Sequence, residues 1–314
     1  MLLKLLKQLG TTRREAAPAA QPLQASAAKP RPKADFFLCD AFSRRPDAIR
    51  IVDVGAMSLG PGTDAYAALL RQDLARVVGF EPVAEQCARL ETIHGPRHKF
   101  LPYCIGSGGA GTFYVTNTAM TSSLYPPNSE LLAMFHGIEE LTRVVRTETV
   151  ETRRLDDLRD VLGEVDYLKL DVQGAELDVL RGAGKVLEQV AVVHTEVEFV
   201  PLYRDQPLFA DVDAELRRNG FAFHRFPGVA ARALAGTPPE IGAAGASQML
   251  WADAVYVKDL RRLGAMDPPK LLALAVILHD VYKSLDLCHL VLEAHDRGEG
   301  GRLAAAYRAR LSNP

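Results

Sequence analysis

Ile51-Val-Asp-Val-Gly-Ala-Met-Ser-Leu-Gly60 is a β-branched strand that runs straight into a glycine-bearing turn, with helical periodicity resuming at Asp64–Gln72. Strand, glycine turn and helix in that order are how open α/β sheets form a crevice for a nucleotide-like ligand beyond the strand ends. Gly55 frees the backbone to approach a ligand, and Asp53 sits behind it to order the turn. The spacing Gly55-x4-Gly60 is neither G-x-G-x-x-G nor a P-loop, since no Gly-Lys-Ser/Thr follows, and a pyrophosphate grip is therefore disfavoured.

Outward from this turn the same alternation continues. Further strands are predicted at Val77–Phe80, Lys99–Tyr103, Tyr167–Leu170 and Val190–Thr195, and helices at Ala84–Ile93, Ala175–Arg181 and Leu208–Asn219. That order predicts a doubly wound α/β fold around a mostly parallel sheet. Phe221–Phe226 and Leu250–Val257 bracket the Gly/Ala/Pro-rich segment Pro227–Ser247, which predicts an antiparallel terminal hairpin with a long, mobile connection. Gly111–Thr116 is β-like, and the aperiodic segment Ala119–Asn128 reads as a loop over the site.

The ends differ in character. Residues 2–9 have the pattern of a short amphipathic helix, and residues 10–34, rich in Ala, Pro, Gln and charge, read as a flexible lead. Beyond Pro268-Pro269, Leu271, Leu272, Leu274, Ala275, Leu278, Val281 and Tyr282 fall at helical spacing. The expected organisation is a lead over 1–34, a central domain over 35–260 and a helical C-terminal appendage over 261–314. The terminal helices are the candidates for docking to a partner.

Composition narrows the function. Lys plus Arg is 37 against 39 Asp plus Glu, so no net field draws the chain to nucleic acid or an anionic membrane, and a small partner is expected. The four cysteines, Cys39, Cys87, Cys104 and Cys288, lie far apart without C-x-x-C spacing, which fits reduced thiols in a cytoplasm. Lysines interrupt the N-terminal leucines, so no secretory signal is read, and no stretch approaches a transmembrane span.

The second strand ends Val77-Val-Gly-Phe-Glu81-Pro82. An acid at that place can accept hydrogen bonds from both hydroxyls of a ribose, which points to an adenosine-bearing cofactor without choosing between NAD and S-adenosylmethionine. Asp171 is the first acid at the carboxyl end of the fourth strand, and Glu176 falls in the first turn of the next helix, where its dipole favours a carboxylate. In Val193-His-Thr-Glu-Val-Glu198, His194, Glu196 and Glu198 share one face by period two and are expected to enter the crevice.

The stretch Asp166-Tyr-Leu-Lys-Leu-Asp-Val-Gln-Gly-Ala-Glu-Leu-Asp-Val-Leu-Arg-Gly-Ala183 resembles the hallmark of the FkbM family of methyltransferases. Asp53-Val-Gly-Ala56, Val78-Gly-Phe-Glu-Pro82 and Arg154-Leu-Asp-Asp-Leu158 resemble further segments of that family in the same order, so the likeness spans roughly residues 49–258. It implies a Rossmann-like class I methyltransferase fold, S-adenosyl-L-methionine as cofactor, and O-methylation of a hydroxyl on a sugar, glycan or secondary metabolite. Met57 stands where the family often has Asn, and Gln173 where it often has Glu.

On this reading Asp53, Gly55, Gly60, Glu81 and Asp171 hold the cofactor. Asp171, with Glu196 and His194, takes the proton of the acceptor hydroxyl. Glu176 and Glu198 face the substrate or, on a second reading, join Asp171 and Glu196 in holding a divalent cation. The competing classes are an NAD-dependent oxidoreductase, against which the missing G-x-G-x-x-G argues, and a non-catalytic cofactor-binding interaction module.

Overall fold

A computed structural model of the chain describes residues 35–312 except 43–44, 58–61, 239 and 243–244. The expected N-terminal helix, the lead and Gly60 lie outside the described residues. In chain order the elements are β1 (Ile49–Val54), α1 (Ala67–Arg71), β2 (Ala75–Phe80), α2 (Ala84–His94), β3 (Lys99–Leu101), β4 (Cys104–Ile105), β5 (Gly109–Thr116) and α3 (Ser129–Leu132). They continue with β6 (Val144–Arg153), α4 (Arg159–Leu162), β7 (Tyr167–Leu170), α5 (Glu176–Arg181), α6 (Gly184–Gln189), β8 (Val192–Glu198) and α7 (Phe209–Arg218). The last are β9 (Phe221–Arg232), β10 (Gln248–Lys258), α8 (Pro268–Val276), α9 (Leu285–Glu299) and α10 (Leu303–Ser312).

Seven strands form one sheet in the order β3-β2-β1-β7-β8-β10-β9. All neighbours pair in parallel from β3 to β8, while β10 runs antiparallel to both β8 and β9. This is the doubly wound α/β fold with a terminal antiparallel hairpin that the sequence predicts. The chain leaves β1 toward β2 and later returns to its other side as β7, so the switch point lies between β1 and β7, and ligands in such sheets bind outside the strand ends there.

Alternation sorts the side chains into two layers. Val52, Val54, Leu168, Leu170 and Val193 pack with Leu158, Leu180, Leu187 and Leu216 of the helices on one face. Ile49, Ile51, Tyr167, Val192, Val255 and Val257 pack on the other with Leu69, Leu274, Ile277, Val291 and Tyr307. The C-terminal segment expected as an appendage is helical and fills that second layer. Strand β8, covered on both faces, is buried along its whole length.

Three regions depart from expectation. The hairpin strands run to Arg232 and start at Gln248, so they take up much of the expected mobile connection. Pro227 is tolerated because β9 is the sheet edge, and register shifts in the β9–β10 ladder absorb the irregularity. The segment from Ala119 holds a 3-10 turn at Ala119–Thr121, tied down by Thr116 Oγ1 to Thr121 Oγ1 at 2.7 Å and by Ser123 Oγ donating to the Gln173 carbonyl at 2.6 Å. Helix α8 does not continue smoothly to Tyr282: it opens into a π-turn at Ile277–Val281 and stops at Lys283, whose φ is +53°.

A second, three-stranded sheet in the order β4-β6-β5 lies over the strand ends. Its middle strand has no counterpart in the predicted elements. Arg146, Glu148 and Val150 face a cavity while their alternates face solvent, so β6 carries no apolar stripe by which it could be recognised.

Candidate functional site

Two cavities open at the carboxyl ends of β1 and β7. The first, about 370 Å³, is lined by Gly55, Glu81, Tyr103, Ile105, Phe113 and Leu124 among others, with Asp171, Val172 and Gln173 on its inner wall. The second, about 220 Å³, is bounded by Asp53, Asp64, Lys169, His194, Asp253 and Tyr282. Met57 lines both. Each strand feeds both cavities from positions two residues apart: Asp53 and Gly55 on the β1 side, Lys169 and Asp171 on the β7 side.

Gly55 has φ +79°, and a Cβ there would lie 2.0 Å from the Asp171 carbonyl oxygen. The glycine is thus required first by the protein's own β7 end, which β1 approaches closely, and only then by anything in the cavity. Asp53 is buried with both oxygens engaged: Oδ2 accepts from the Tyr66 hydroxyl at 2.7 Å and Oδ1 from Lys169 Nζ at 3.0 Å. Burial works against the Lys169 ammonium, but the Asp53 and Asp171 carboxylates outweigh it and push the group above the usual lysine range.

Glu81 sits at the end of β2, 6% exposed. Its Oε1 accepts from the Val83 N–H at 3.1 Å, and its other oxygen accepts from no described residue. Burial pushes this carboxyl up to about 7 against that single donor. A buried carboxylate short of donors is costly unless a ligand supplies them.

Asp171 accepts from Gln173 Nε2 at 2.9 Å and lies 3.8 Å from Lys169 Nζ. Gln173, at φ +58°, also reaches Glu196 Oε1 at 3.5 Å and accepts from the Tyr203 hydroxyl at 3.2 Å. The amide therefore donates to two acids where a glutamate would add a third acid to the cluster. Glu176 is used otherwise than expected. Its Oε1 accepts from the Val172 N–H at 2.8 Å and its Oε2 from the Gly174 N–H at 2.9 Å, so it closes the turn after β7 and lines neither cavity. Burial pushes it to about 7 as well.

His194, Glu196 and Glu198 share one face of β8 as period two requires, but only His194 reaches a cavity. Glu196 and Glu198 are both 2% exposed. Burial first, then the neighbouring Asp171 for Glu196 and Glu176 for Glu198, pushes both carboxyls well above the usual range. His194 places Nδ1 3.0 Å from the Tyr282 hydroxyl and Nε2 3.4 Å from Asp253 Oδ1. Burial works against the Asp253 charge, but His194 outweighs it and lowers the carboxyl. Lys169, Asp253 and Tyr282 were not singled out from sequence as site residues. Counting by two from Tyr167 and back from Val257 finds the first two; nothing local marks Tyr282. Among the described residues no group of three or more His, Cys, Asp or Glu side chains is arranged to hold a metal ion.

The sequence profile described as the methyltransferase FkbM domain matches residues 53–223, more than half of the 314. The chain belongs to the FkbM methyltransferase family. It is 30% identical over 177 residues to the 2-O-methyltransferase NoeI of Sinorhizobium fredii (strain NBRC 101917 / NGR234), covering 54% of this chain and 71% of that protein. Among solved structures it is similar to "Structure of a putative methyltransferase from Thermoplasma acidophilum", at TM-score 0.31 and 9% identity over 68% of this chain and 70% of that one. The FkbM match contains Gly55, Glu81, Asp171 and His194 and ends before Pro227, Asp253 and Tyr282. No described helix is long and apolar enough to cross a membrane.

Proposed function

We propose that this FkbM methyltransferase uses S-adenosylmethionine to methylate a hydroxyl of a sugar, glycan or secondary metabolite. The observation that carries the cofactor assignment is Glu81, a buried carboxylate at the second strand end with one backbone donor and a spare oxygen on the cavity wall. Two vicinal ribose hydroxyls supply the donors it lacks. Tyr103, Ile105, Phe113 and Leu124 offer apolar walls of the kind that enclose an adenine. Asp171, on the same wall, lies 3.8 Å from Lys169 Nζ and accepts from Gln173 Nε2 at 2.9 Å.

S-adenosylmethionine, when bound, supplies a methyl group already activated on a sulfonium. What remains for the protein is orientation, exclusion of water and removal of one proton. Asp53 supports Lys169 and the turn from behind, and both of its oxygens are already engaged. Burial, with Asp171 beside it, pushes the Glu196 carboxyl well above the usual range, and Glu196 lines neither cavity. The hydroxyl acceptor accords with the 2-O-methyltransferase relative.

Calorimetry on the full chain with S-adenosylmethionine, S-adenosylhomocysteine and NAD tests the cofactor. The two S-adenosyl compounds are expected to bind and NAD is not; binding of NAD alone would overturn the reading.

A further inference from the structure

The polar side chains of the second cavity come from one row of the sheet. On the face covered by the C-terminal helices, each strand passes from apolar to polar between residues two apart: Ile51 precedes Asp53, Tyr167 precedes Lys169, Val192 precedes His194, and Val255 lies two residues from Asp253. Asp53 pairs in register with Lys169, and Lys169 with His194. The row becomes polar where the helical cover ends, so these groups form the floor of a space the fold leaves open rather than scattered surface charges.

Part of the wall of that space comes from outside the family match: Pro227, Asp253, Val281 and Tyr282. The π-turn at Ile277–Val281 ends helix α8 and delivers Val281 and Tyr282 to the cavity. Such insertions recur at functional sites because they turn a helix face by one residue. Tyr282 then joins a chain that runs from the core to the cavity: Tyr167 hydroxyl to Tyr282 hydroxyl at 2.7 Å, Tyr282 hydroxyl to His194 Nδ1 at 3.0 Å, and His194 Nε2 to Asp253 at 3.4 Å. Asp253 is its most open member, with a quarter of its side chain exposed.

We infer that this second cavity receives the acceptor, that it selects a neutral or cationic hydroxyl-bearing ring over a phosphorylated or carboxylated one, and that the His194–Asp253 pair takes the hydroxyl proton. The inference rests on the methyl-transfer reading above. At about 220 Å³ the space is smaller than the ~300–1,000 Å³ of pockets that enclose drug-sized ligands, so it fits one ring of an acceptor. Its described wall carries the carboxylates of Asp53, Asp64 and Asp253, and the one lysine there is committed to Asp53 and Asp171. An anionic acceptor would meet no free cation. In the reaction the acceptor oxygen forms a bond to the methyl carbon as the carbon–sulfur bond breaks. The bonding pair passes to sulfur, leaving a neutral thioether, and the hydroxyl proton passes to the pair. Met57, common to both cavities, marks where they meet.

The test is transfer of labelled methyl from S-adenosylmethionine by the full chain into a metabolite and glycan extract split on an anion exchanger. Label is expected in the neutral-and-cationic fraction; label confined to the anionic fraction overturns the acceptor class. With that fraction, His194→Gln and Asp253→Asn are each expected to lower transfer about 100-fold or more while S-adenosylhomocysteine affinity stays within about twofold. Wild-type transfer in both overturns the pair, and lost cofactor affinity in both puts the cavity in the cofactor's own site. Tyr282 acts as a positioning residue. The pair is faced by Tyr167 and Lys169 from β7, Tyr282 with Arg225 at its carbonyl, and Glu196 and Asp171, so Tyr282→Phe is expected to move the acid limb of the pH–rate profile. A lowered melting temperature with an unmoved profile reduces Tyr282 to a structural wall. Should the pair variants fail to fold, Ala65→Phe fills the cavity from its rim and is expected to block transfer with cofactor binding intact; undiminished transfer there overturns the site. Absence of label in every fraction sinks the transferase reading itself, whereas label that survives the cavity variants sinks only this inference.

Discussion

The turn after β2 and the turn after β7 each bury a glutamate, and burial pushes Glu81 and Glu176 alike to about 7. Their surroundings separate them. Glu176 receives two backbone N–H groups from its own turn, one to each oxygen; Glu81 receives one and faces a cavity with the other oxygen. A buried acid whose donors come from the protein is part of the architecture, while one whose donors are missing marks a place where a ligand completes the site.

The sharpest way to break this contrast is to remove Glu81. Glu81→Ala is expected to weaken S-adenosylhomocysteine binding by about 2–4 kcal/mol, roughly 30- to 1,000-fold in Kd, with melting temperature unchanged or raised. Calorimetry and thermal unfolding on one preparation decide it, and unchanged affinity removes Glu81 from the site. Glu176→Gln should do the reverse. An amide offers one acceptor oxygen where two N–H groups need one each, so the variant is expected to lose about 1–3 kcal/mol in denaturant unfolding.

A third measurement uses protons. The folded Glu81 carboxyl is raised above its unfolded value, so the folded state binds more protons and the ionised group disfavours folding. Its contribution is therefore lost as pH rises from about 4.5 to about 7. Hydroxyl donors favour the ionised form, so S-adenosylhomocysteine affinity is expected to rise with pH to about 7 and then level, with proton release on binding below that point. A Glu81→Gln variant should show a flat profile, and an equal slope in both proteins would assign the proton elsewhere. The smallest effect is expected from deleting residues 1–34: cofactor affinity should stay within about twofold, because the alternation of strands and helices begins only near Ile49. A larger loss would extend the domain to the N-terminus.

The parallel core was legible because its strands are short, largely apolar runs, and β1, β2 and β7 are followed directly by a glycine or an acid. Strand β6 was not, since one of its faces meets a cavity and the other solvent, and neither demands apolar residues. Glu176 was read as facing the substrate or a cation, with a stabilising acid in the first helical turn as the structural alternative. What the sequence did not disclose is that Gln173 and Gly174 take positive φ and so leave N–H groups of the turn in need of an acceptor. Glu196 and Glu198 were correctly put on the face of His194, yet what covers them is not local: the antiparallel β10, from a distant segment, pairs along β8 and sets Trp251 opposite Glu198. The C-terminal helices were visible as helices, but a π-turn shifts the phase of side chains by one residue, so Tyr282 counted as one more apolar position.

Trp251 is the chain's single tryptophan, 1% exposed, with its indole N–H lacking a described partner. Gln173 and Tyr203 share the small void beside it, and the Arg232 guanidinium lies 5.4 Å from its ring centre. An indole enclosed in this way emits at the blue end of its range and shifts red when water reaches it. The folded protein thus carries its own fluorophore next to the residue that tethers Asp171, and opening of this part of the fold to water can be followed optically with no dye attached.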